Sequence, residues 1–446
     1  MPPRRRNRRP GAAGTAIAAV LALAITLGLH QTTSPARGAQ AVHSAKKKRK
    51  NHDGQYLKLA KKGISDSYKN FWNPQHNWFN DRLNDNDQFP LGTIWTLFPV
   101  WEAMSGVAKA EPKGHHEDEV AWFSNMAESY YNAPNGGYGP YPGSHDIANE
   151  IWFDDNAWWG LGFVDAYRVT HDNRYLGDAG RAVDFMEGRG WNNHRHTFGW
   201  STHNPNAGSN LETMGGAAAL AGELYQYTHK ARFRKMAHKY IHWAMEKAKW
   251  TYKKKHKKHH HHWRGIFEAK DQGPLTYTEG TFLGADLALC RAGQKSACAS
   301  AWALARISYK HWRGRDPFYK PPADTILFRY VLQTAGEKKV QKVFRQGHYK
   351  VSPRMLWKWA RKSAEDALSN SRQHGLFIKF WDGSDAASHH DGYRSYRYGQ
   401  LMTHAAPVAL LAWLAAVKEP APVKSSGGPA PPAGARGPAL PPLPVP

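Results

Sequence analysis

Residues 167–179 read YRVTHDNRYLGDA, and residues 225–237 read YQYTHKARFRKMA. The two segments align at a constant offset of 58 residues, which places Thr170 opposite Thr228. Each has the apolar spacing of a helix, then a tight turn, then the spacing of a returning helix. A helical hairpin of this kind cannot bury its apolar face alone, so we expect the chain to stack such hairpins side by side.

The same helical periodicity extends over most of the chain. Alternating β-branched runs, which would indicate strands, are nearly missing. Apolar residues three and four positions apart indicate about twelve helices, near residues 53–71, 91–109, 115–131, 154–171, 173–187, 209–229, 231–249, 279–292, 296–311, 323–334, 353–371 and 397–418. Six hairpins closed in a ring would form an all-α (α/α)6 barrel, with one helix of each pair inside. We predict this toroid; an open superhelix of hairpins is the alternative.

The two ends of the chain differ in composition from the helical region. An arginine-rich head precedes the apolar stretch 12–29, and the small residues of AQA at 39–41 follow it. This order is typical of a secretory signal peptide; an uncleaved membrane anchor is the alternative, and the export route stays open. The predicted organisation is a secreted protein with a signal peptide (1–41), a basic disordered tether (42–52), a helical domain (53–419) and a Pro-rich disordered tail (420–446).

The formal net charge of +25 is unevenly distributed. Basic clusters at 4–9, 46–50 and 253–258 carry much of it, so the remaining body is only mildly basic. For that reason nucleic-acid binding is not predicted. The third cluster, within YKKKHKKHHHHW at 252–263, is interpreted as a solvated insertion between helices. Contact with an anionic cell surface and metal binding are the alternatives for it.

Two smaller features concern disulfide and metal chemistry. Cys290 and Cys298 are the only cysteines, and an exported chain meets oxidising conditions, which favours a disulfide that closes this short loop. Two unpaired thiols at helix ends are the alternative. His389, His390 and Asp391 resemble a ligand cluster, but no completing set of ligands is evident, so no metal site is predicted.

A pair of neighbouring carboxylates stands out in EIWFDDNAWW at 150–159. Asp154 and Asp155 lie where a long polar loop gives way to a predicted helix. Aspartate is a favoured N-cap residue because its side chain accepts hydrogen bonds from free backbone N–H groups. One interpretation is therefore structural, with one aspartate as the cap and the other complementing the helix dipole.

The aromatic surroundings of the pair favour a chemical interpretation. Bulky rings on both sides predict that Asp154 and Asp155 are partly buried in a wall. Two ionised carboxylates in close proximity repel each other, so one has a raised pKa while the other stays charged. Glycoside hydrolysis needs that division, with one carboxyl as the acid and one as the anionic partner.

The chain resembles glycoside hydrolase family 76, the α-1,6-mannanases, over about residues 90–418. The strongest similarity is FDDNAWW at 153–159 with DAY at 165–167 and THD at 170–172. TYTEGTF at 276–282 and TILFRY at 325–330 support it. In place of the family's usual Asn-Gln before the glycine, this sequence has Thr278-Glu279.

The resemblance implies an (α/α)6 barrel that cleaves α-1,6-linked mannose in mannan by retaining endo-hydrolysis. It implies Asp154 as the nucleophile and Asp155 as the acid/base. No cofactor is needed for this chemistry, and a monomer is expected. Retention requires the two carboxyl groups to lie about 5 to 5.5 Å apart, and the expected intermediate is a mannosyl ester of Asp154.

Five further residues are candidates for substrate binding. Neighbours on a helix point 100° apart, so Trp158 and Trp159 cannot both face a cleft, and at least one is expected to pack in the core. The other candidates are Tyr277, Glu279 and Arg329. Arg329 has an alternative role as the partner of a helix-end carboxylate.

Two other functions remain open at this point. A transglycosylase on the same scaffold would pass the mannosyl group to another sugar. A catalytically silent cell-wall glycan-binding protein would hold mannan without cleaving it. Sizing the products made from α-1,6-mannan distinguishes these functions, because transfer gives longer oligosaccharides, hydrolysis gives only shorter ones, and a binding protein leaves the polymer intact.

Overall fold

The computed structural model describes residues 52–84, 91–206, 211–247, 249–250, 267–268, 275–313, 321–347, 349–383 and 399–422. These residues form thirteen α-helices: α1 (His52–Phe71), α2 (Ile94–Ala110), α3 (Glu117–Ala127), α4 (Phe153–Thr170), α5 (Arg174–Phe185), α6 (Leu211–Thr228), α7 (Ala231–Lys247), α8 (Thr276–Arg291), α9 (Lys295–Trp312), α10 (Pro321–Gly336), α11 (Lys338–Gln346), α12 (Pro353–Asn370) and α13 (Leu401–Ala416). A 3₁₀ turn (Glu128–Tyr130) follows α3, and a π-helical turn (Met186–Gly190) follows α5.

Six of these helices form a closed inner ring. In order around the ring, α2 packs on α4, α4 on α6, α6 on α8, α8 on α10, α10 on α13, and α13 on α2. Helices α1, α3, α5, α7, α9 and α12 pack outside them. The predicted all-α (α/α)6 barrel is therefore confirmed, and the open superhelix is wrong because the last inner helix contacts the first.

The sequence of each helix explains its place in the ring. The inner helix α13 contains no charged residue and is buried from Leu401 to Leu414. A helix that is apolar all round is stable only when other helices surround it. The outer helix α12 buries one face only, through residues such as Leu356, Trp357 and Ala360. Its opposite face carries lysine, arginine and glutamate, as expected for a helix in contact with water.

The turns that the internal repeat predicted lie at one end of the barrel. His171 ends α4 with φ 58°, and His229 follows α6 with φ 53°, so the two copies have the same left-handed residue. Thr170 Oγ1 donates to Ala166 O in the first copy, and Thr228 Oγ1 donates to the equivalent carbonyl in the second. In both copies the inner helix turns into its outer partner at this end.

Short antiparallel β-ladders lie at the other end of the barrel. They are β1 (Trp72–Asn73) with β2 (Trp78–Phe79), β3 (Tyr131–Asn132) with β4 (Gly137–Tyr138), β5 (Trp191–Asn192) with β6 (Thr197–Phe198), β7 (Lys249–Trp250) with β8 (Phe267–Glu268), and β9 (Arg372–Gln373) with β10 (Leu376–Phe377). Each connects an outer helix to the next inner helix. The side-chain Oδ1 of Asn73, Asn132 and Asn192 accepts backbone N–H bonds within three of these turns. The ladders therefore surround the mouth at which the inner helices begin.

The described residues also bear on the cysteines and on membrane insertion. Cys290 near the end of α8 and Cys298 in the first turns of α9 form a disulfide, with their Cα atoms 4.6 Å apart. No described helix has the length and apolar character that crossing a bilayer requires. The predicted signal peptide, most of the basic tether, most of the Pro-rich tail, the Lys/His-rich insertion and His389-His390-Asp391 lie outside the described residues.

Candidate active site

The N-terminus of α4 places the two aspartates at the mouth surrounded by the β-ladders. Trp152 is the N-cap residue, with no side-chain cap bond, and Asp154 and Asp155 lie in the first turn of the helix. The N-cap role suggested for one aspartate is therefore wrong. Asn156, the next residue, fixes the helix to the β3–β4 turn: its Oδ1 accepts from Tyr138 N at 2.8 Å, and its Nδ2 donates to Tyr138 O at 3.0 Å.

Both aspartates are half-buried, and neither forms an ion pair with a described residue. Burial raises the pKa of Asp154 to about 7, while backbone N–H groups of the first turn lower it. Burial also raises the pKa of Asp155 well above its usual value, and the neighbouring charge of Asp154 raises it further. The pair therefore titrates as a unit in which one carboxyl retains its proton when the other is ionised.

A third carboxylate, which the sequence analysis missed, belongs to the same site. Glu212 lies in the first turn of α6, the inner helix that packs against α4. Its negative charge contributes to the raised pKa of Asp154, and burial raises the pKa of Glu212 itself. The internal repeat contained the signal for it: the offset of 58 residues that aligns the two turns also places Glu212 opposite Asp154.

Tyr277 faces these carboxylates from the first turn of α8. It is 6% exposed, and burial together with the charges of Asp154, Glu212 and Asp155 raises its pKa well above the usual value. Its ring lies 4.8 Å from that of Trp158, edge to face. Because α4, α6 and α8 are consecutive in the inner ring, their first turns bring the three acids and this tyrosine to one place.

Trp158 and Trp159, which follow the aspartates on α4, contact different parts of the barrel. Trp158 packs against Phe98 on α2 at 5.0 Å between ring centroids and against Tyr277 on α8. It therefore lies on the side of α4 that faces the other inner helices. Trp159 is fully buried, and its Nε1 donates to Ala127 O at the end of the outer helix α3. The geometry assigns Trp159 to the packing between the inner and outer rings.

Arg329 lies deeper in the barrel than the acidic pair. Its Nη1 is 2.6 Å from Asp165 Oδ2 and 3.6 Å from Glu102 Oε1, and all three side chains are buried. Asp165 follows Asp154 by eleven residues on α4, which corresponds to about 16 Å along the helix. The structure thus pairs Arg329 with buried carboxylates inside α2 and α4, not with a helix-end carboxylate as the alternative role had it, and does not bring it to the candidate active site.

Glu279 and Trp200 complete the description of the mouth. Glu279 is fully buried in the first turn of α8, two residues after Tyr277. Trp200, another residue that the sequence analysis did not single out as a binding residue, is 38% exposed. Its carbonyl oxygen accepts from Phe153 N, the residue before the aspartates, so the backbone of this partly exposed tryptophan lies beside the start of α4. The described residues contain no group of histidine, cysteine and carboxylate side chains arranged to hold a metal ion.

The fold and the site together define a class of protein: an (α/α)6 barrel with paired carboxylates at the mouth where its inner helices begin. The family model described as "Glycosyl hydrolase family 76" matches residues 42–308. This match covers more than half of the chain, and the chain therefore belongs to glycosyl hydrolase family 76. The resemblance read from FDDNAWW is confirmed, and membership of this family supports glycoside hydrolase activity. No curated protein matches the chain.

Solved structures share the fold at low sequence identity. A family 76 glycoside hydrolase from a bovine Bacteroides thetaiotaomicron strain is similar at a TM-score of 0.61 with 16% identity, over 81% of this chain and 77% of that one. An α-1,6-mannanase of a Salegentibacter species gives a TM-score of 0.59 with 17% identity, over 81% and 99% of the two chains. A D-mannose isomerase has a TM-score of 0.52 with 11% identity, over 81% and 98%. The barrel alone therefore does not fix the reaction.

Proposed function

We propose that the chain is an endo-acting hydrolase that cleaves α-1,6-mannosidic bonds in mannan with retention of configuration. The observation that carries the proposal is the Asp154–Asp155 pair, half-buried, free of ion pairs with described residues and with both pKa values raised. Two solved neighbours support the substrate. They are inactive variants of the Salegentibacter α-1,6-mannanase with two consecutive aspartates replaced, in complex with α-1,6-mannotriose and α-1,6-mannotetrose.

In the proposed first step, a carboxylate oxygen of Asp154 bonds to the anomeric carbon of the mannose unit. The bond between that carbon and the glycosidic oxygen breaks, and Asp155 delivers its proton to the departing oxygen. Asp155 is suited to this role because burial and the charge of Asp154 keep its proton in place. The products of the step are a mannosyl ester of Asp154 and the shortened chain with a free hydroxyl group.

In the second step, water attacks the same carbon from the face that the departing chain has left. Asp155, now ionised, takes a proton from this water, and the ester bond to Asp154 breaks. Two inversions at one carbon give net retention. The protein groups complete the cycle without a cofactor, and the signal-peptide pattern at 1–41 makes extracellular mannan the accessible substrate.

Incubation of the protein with linear and branched α-1,6-mannan tests this function. We expect internal cleavage, so the average chain length should fall early while free mannose stays low, and proton NMR of fresh products should show the α-anomer first. Mannose released one unit at a time would contradict endo-action, and initial β-anomer would contradict retention. Oligosaccharides longer than the starting material would identify the protein as a transglycosylase, and intact polymer that nevertheless binds would identify a binding protein.

Glu212 makes the pH dependence of this reaction testable. Asp154 acts as the nucleophile only when ionised, so kcat/KM should rise with pH through its pKa, which burial and the charge of Glu212 hold near 7. The Glu212→Gln substitution removes that charge and stabilises ionised Asp154. We therefore expect the ascending limb of the pH profile of kcat/KM to move to lower pH.

The matched control for this measurement is Glu246→Gln, because Glu246 is an exposed acid on the outer helix α7 with 55% of its side chain accessible. Its pH profile should coincide with that of the wild type. An ascending limb that stays in place in Glu212→Gln, or moves to higher pH, would show that Glu212 does not act on the nucleophile.

A further inference from the structure

A cavity lies at the end of the barrel opposite the acidic pair. It has a volume of about 720 Å³, and the C-terminal ends of all six inner helices contribute to its wall. Representative lining residues are Ser105 of α2, Arg168 of α4, Gln226 of α6, Arg291 of α8, Gln333 of α10 and Trp413 of α13. Exposed residues at its edge, including Glu117 and His171, show that it opens to solvent.

The cavity is independent of the candidate active site. Arg168 follows Asp154 by fourteen residues on the same helix, so the two places are about 21 Å apart at 1.5 Å per residue. Between them lies the ion-pair network of Arg329, Asp165 and Glu102, in which every side chain is buried. A sugar bound at one end therefore cannot reach the residues of the other.

Several polar atoms of the cavity wall are buried without a hydrogen-bond partner in the described part of the chain. They are Ser105 Oγ, Gln333 Nε2 and Gln226 Oε1. Ser105 is 3% exposed and Gln333 is 2% exposed. Burial without a partner destabilises a donor or acceptor, and these atoms supply a donor, an acceptor and a hydroxyl group that can serve as either.

Most charges of the wall are paired, and the two lining residues without a described ion pair, Lys109 and Glu117, carry opposite charges. Arg168 pairs with Glu223 at 3.1 Å and also with Asp165, and Arg291 pairs with Glu337 at 3.0 Å. Paired ions offer fixed donors and acceptors but attract no strongly charged ligand. The same wall includes the rings of Trp413, Tyr167 and Tyr227. Amides, a hydroxyl, paired ions and aromatic rings together fit a neutral ligand with many hydroxyl groups.

We propose that this cavity is a second, non-catalytic site for a neutral saccharide of one or two units. Its volume lies within the range of about 300–1,000 Å³ that is usual for small-molecule sites. These atoms have almost no accessible surface in this structure, so a small side-chain rotation would let Gln333 Nε2 donate to a sugar hydroxyl oxygen and Gln226 Oε1 accept from a sugar hydroxyl group. Held there, a saccharide satisfies wall atoms that no described residue satisfies, and the cleft at the opposite mouth remains open.

Direct binding tests the proposal. The protein with Asp154→Asn and Asp155→Asn, which is not expected to consume sugar, is titrated calorimetrically with methyl α-mannoside, α-1,6-mannobiose and methyl α-glucoside. The same titrations are repeated after Gln226→Leu or Gln333→Leu is added. We expect binding of at least one of these sugars to weaken tenfold or more in both cavity variants. Ser105→Ala, the smallest change in the wall, should weaken it in the same direction.

Gln346→Leu is the matched control, because Gln346 is an exposed glutamine at the end of α11, and it should bind as the parent does. Absence of binding by all three sugars, or affinity unchanged by the cavity substitutions in folded protein, would overturn the proposal. The choice of mannosides rests on the proposed function. Because a glucoside is included and binding is measured without hydrolysis, failure here and failure of mannan hydrolysis are separate results.

Discussion

Replacement of Asp154 by asparagine is expected to lower kcat on α-1,6-mannan by about 10⁴-fold or more, since the group that forms the covalent ester is removed. Replacement of Asp155 by asparagine is expected to lower it by about 10²–10⁴-fold, the usual contribution of a general acid and base. Both substitutions keep the size of the side chain. Asp154 and Asp155 form no ion pairs with described residues, so the fold should persist, and circular dichroism checks this.

An activated substrate distinguishes the nucleophile, Asp154, from the acid/base, Asp155. An aryl α-mannoside with a good leaving group needs little protonation, so Asp155→Asn should regain much of the first step, whereas Asp154→Asn should not. In Asp155→Asn the second step lacks its base, so the mannosyl ester on Asp154 should accumulate and be visible by mass spectrometry of the intact protein. Equal loss in both variants on this substrate, without an ester, would contradict the assigned roles.

The control for both variants is Asp184→Asn. Asp184 is an exposed aspartate on the outer helix α5 that pairs with Arg232, and 51% of its side chain is accessible. The Asp184→Asn variant should retain the activity of the wild type on both α-1,6-mannan and the aryl α-mannoside. Loss of activity in this control would attribute the effect to overall charge or stability.

The internal repeat and the helical periodicity predicted the twelve long helices because each buries a face or is surrounded by others. The pattern missed α11, whose nine residues KKVQKVFRQ are mostly polar and bury only Val340. Helices this short depend on local capping: Glu337 accepts from Lys339 N at the start of α11. The β-ladders could not be predicted from alternating apolar and polar residues. Each strand has only two residues, and a period of two is recognisable only over a longer segment.

Separation along the sequence explains which residues of the candidate site could be predicted and which could not. Asp154 and Asp155 were predicted because their aromatic neighbours are also their neighbours in sequence. Tyr277 was predicted from the family resemblance alone, since nothing local to α8 indicates that it faces α4. Glu212 was missed because the closure of the ring, not local sequence, brings the first turn of α6 to that of α4. The repeat offset of 58 residues is the sequence signal that relates Glu212 to Asp154.

The same repeat places Glu223 opposite Asp165, and both acids belong to the charged network at the centre of the barrel. Arg329 and Arg168 lower the pKa of Asp165 despite its burial. Burial raises the pKa of Glu102, the third acid, to about 7. Four inner helices, α2, α4, α6 and α10, meet through these side chains, so the network also fixes how the helices that carry the active site pack together.

We therefore expect Arg329→Met to lower the free energy of unfolding by about 3–5 kcal/mol, the usual cost of removing one partner from a buried ion pair. The methionine fills most of the space but leaves Asp165 with Arg168 alone and Glu102 without its cation. Urea unfolding should show a lower midpoint with an unchanged m-value. Adding Glu102→Gln to this variant should recover part of the loss, because it removes the carboxylate left without a cation.

Arg361→Met provides the comparison. Arg361 pairs with Glu365 at 2.9 Å on the surface of α12, with 30% and 44% of the two side chains accessible. Surface pairs one turn apart contribute about 0.3–0.5 kcal/mol, so this variant should unfold close to the wild type. If Arg329→Met cost no more than Arg361→Met, the central network would not stabilise the barrel, and a substrate-binding role for Arg329 would regain support. If it costs several kcal/mol while KM for mannan in the folded variant stays unchanged, Arg329 acts through the packing of the inner helices.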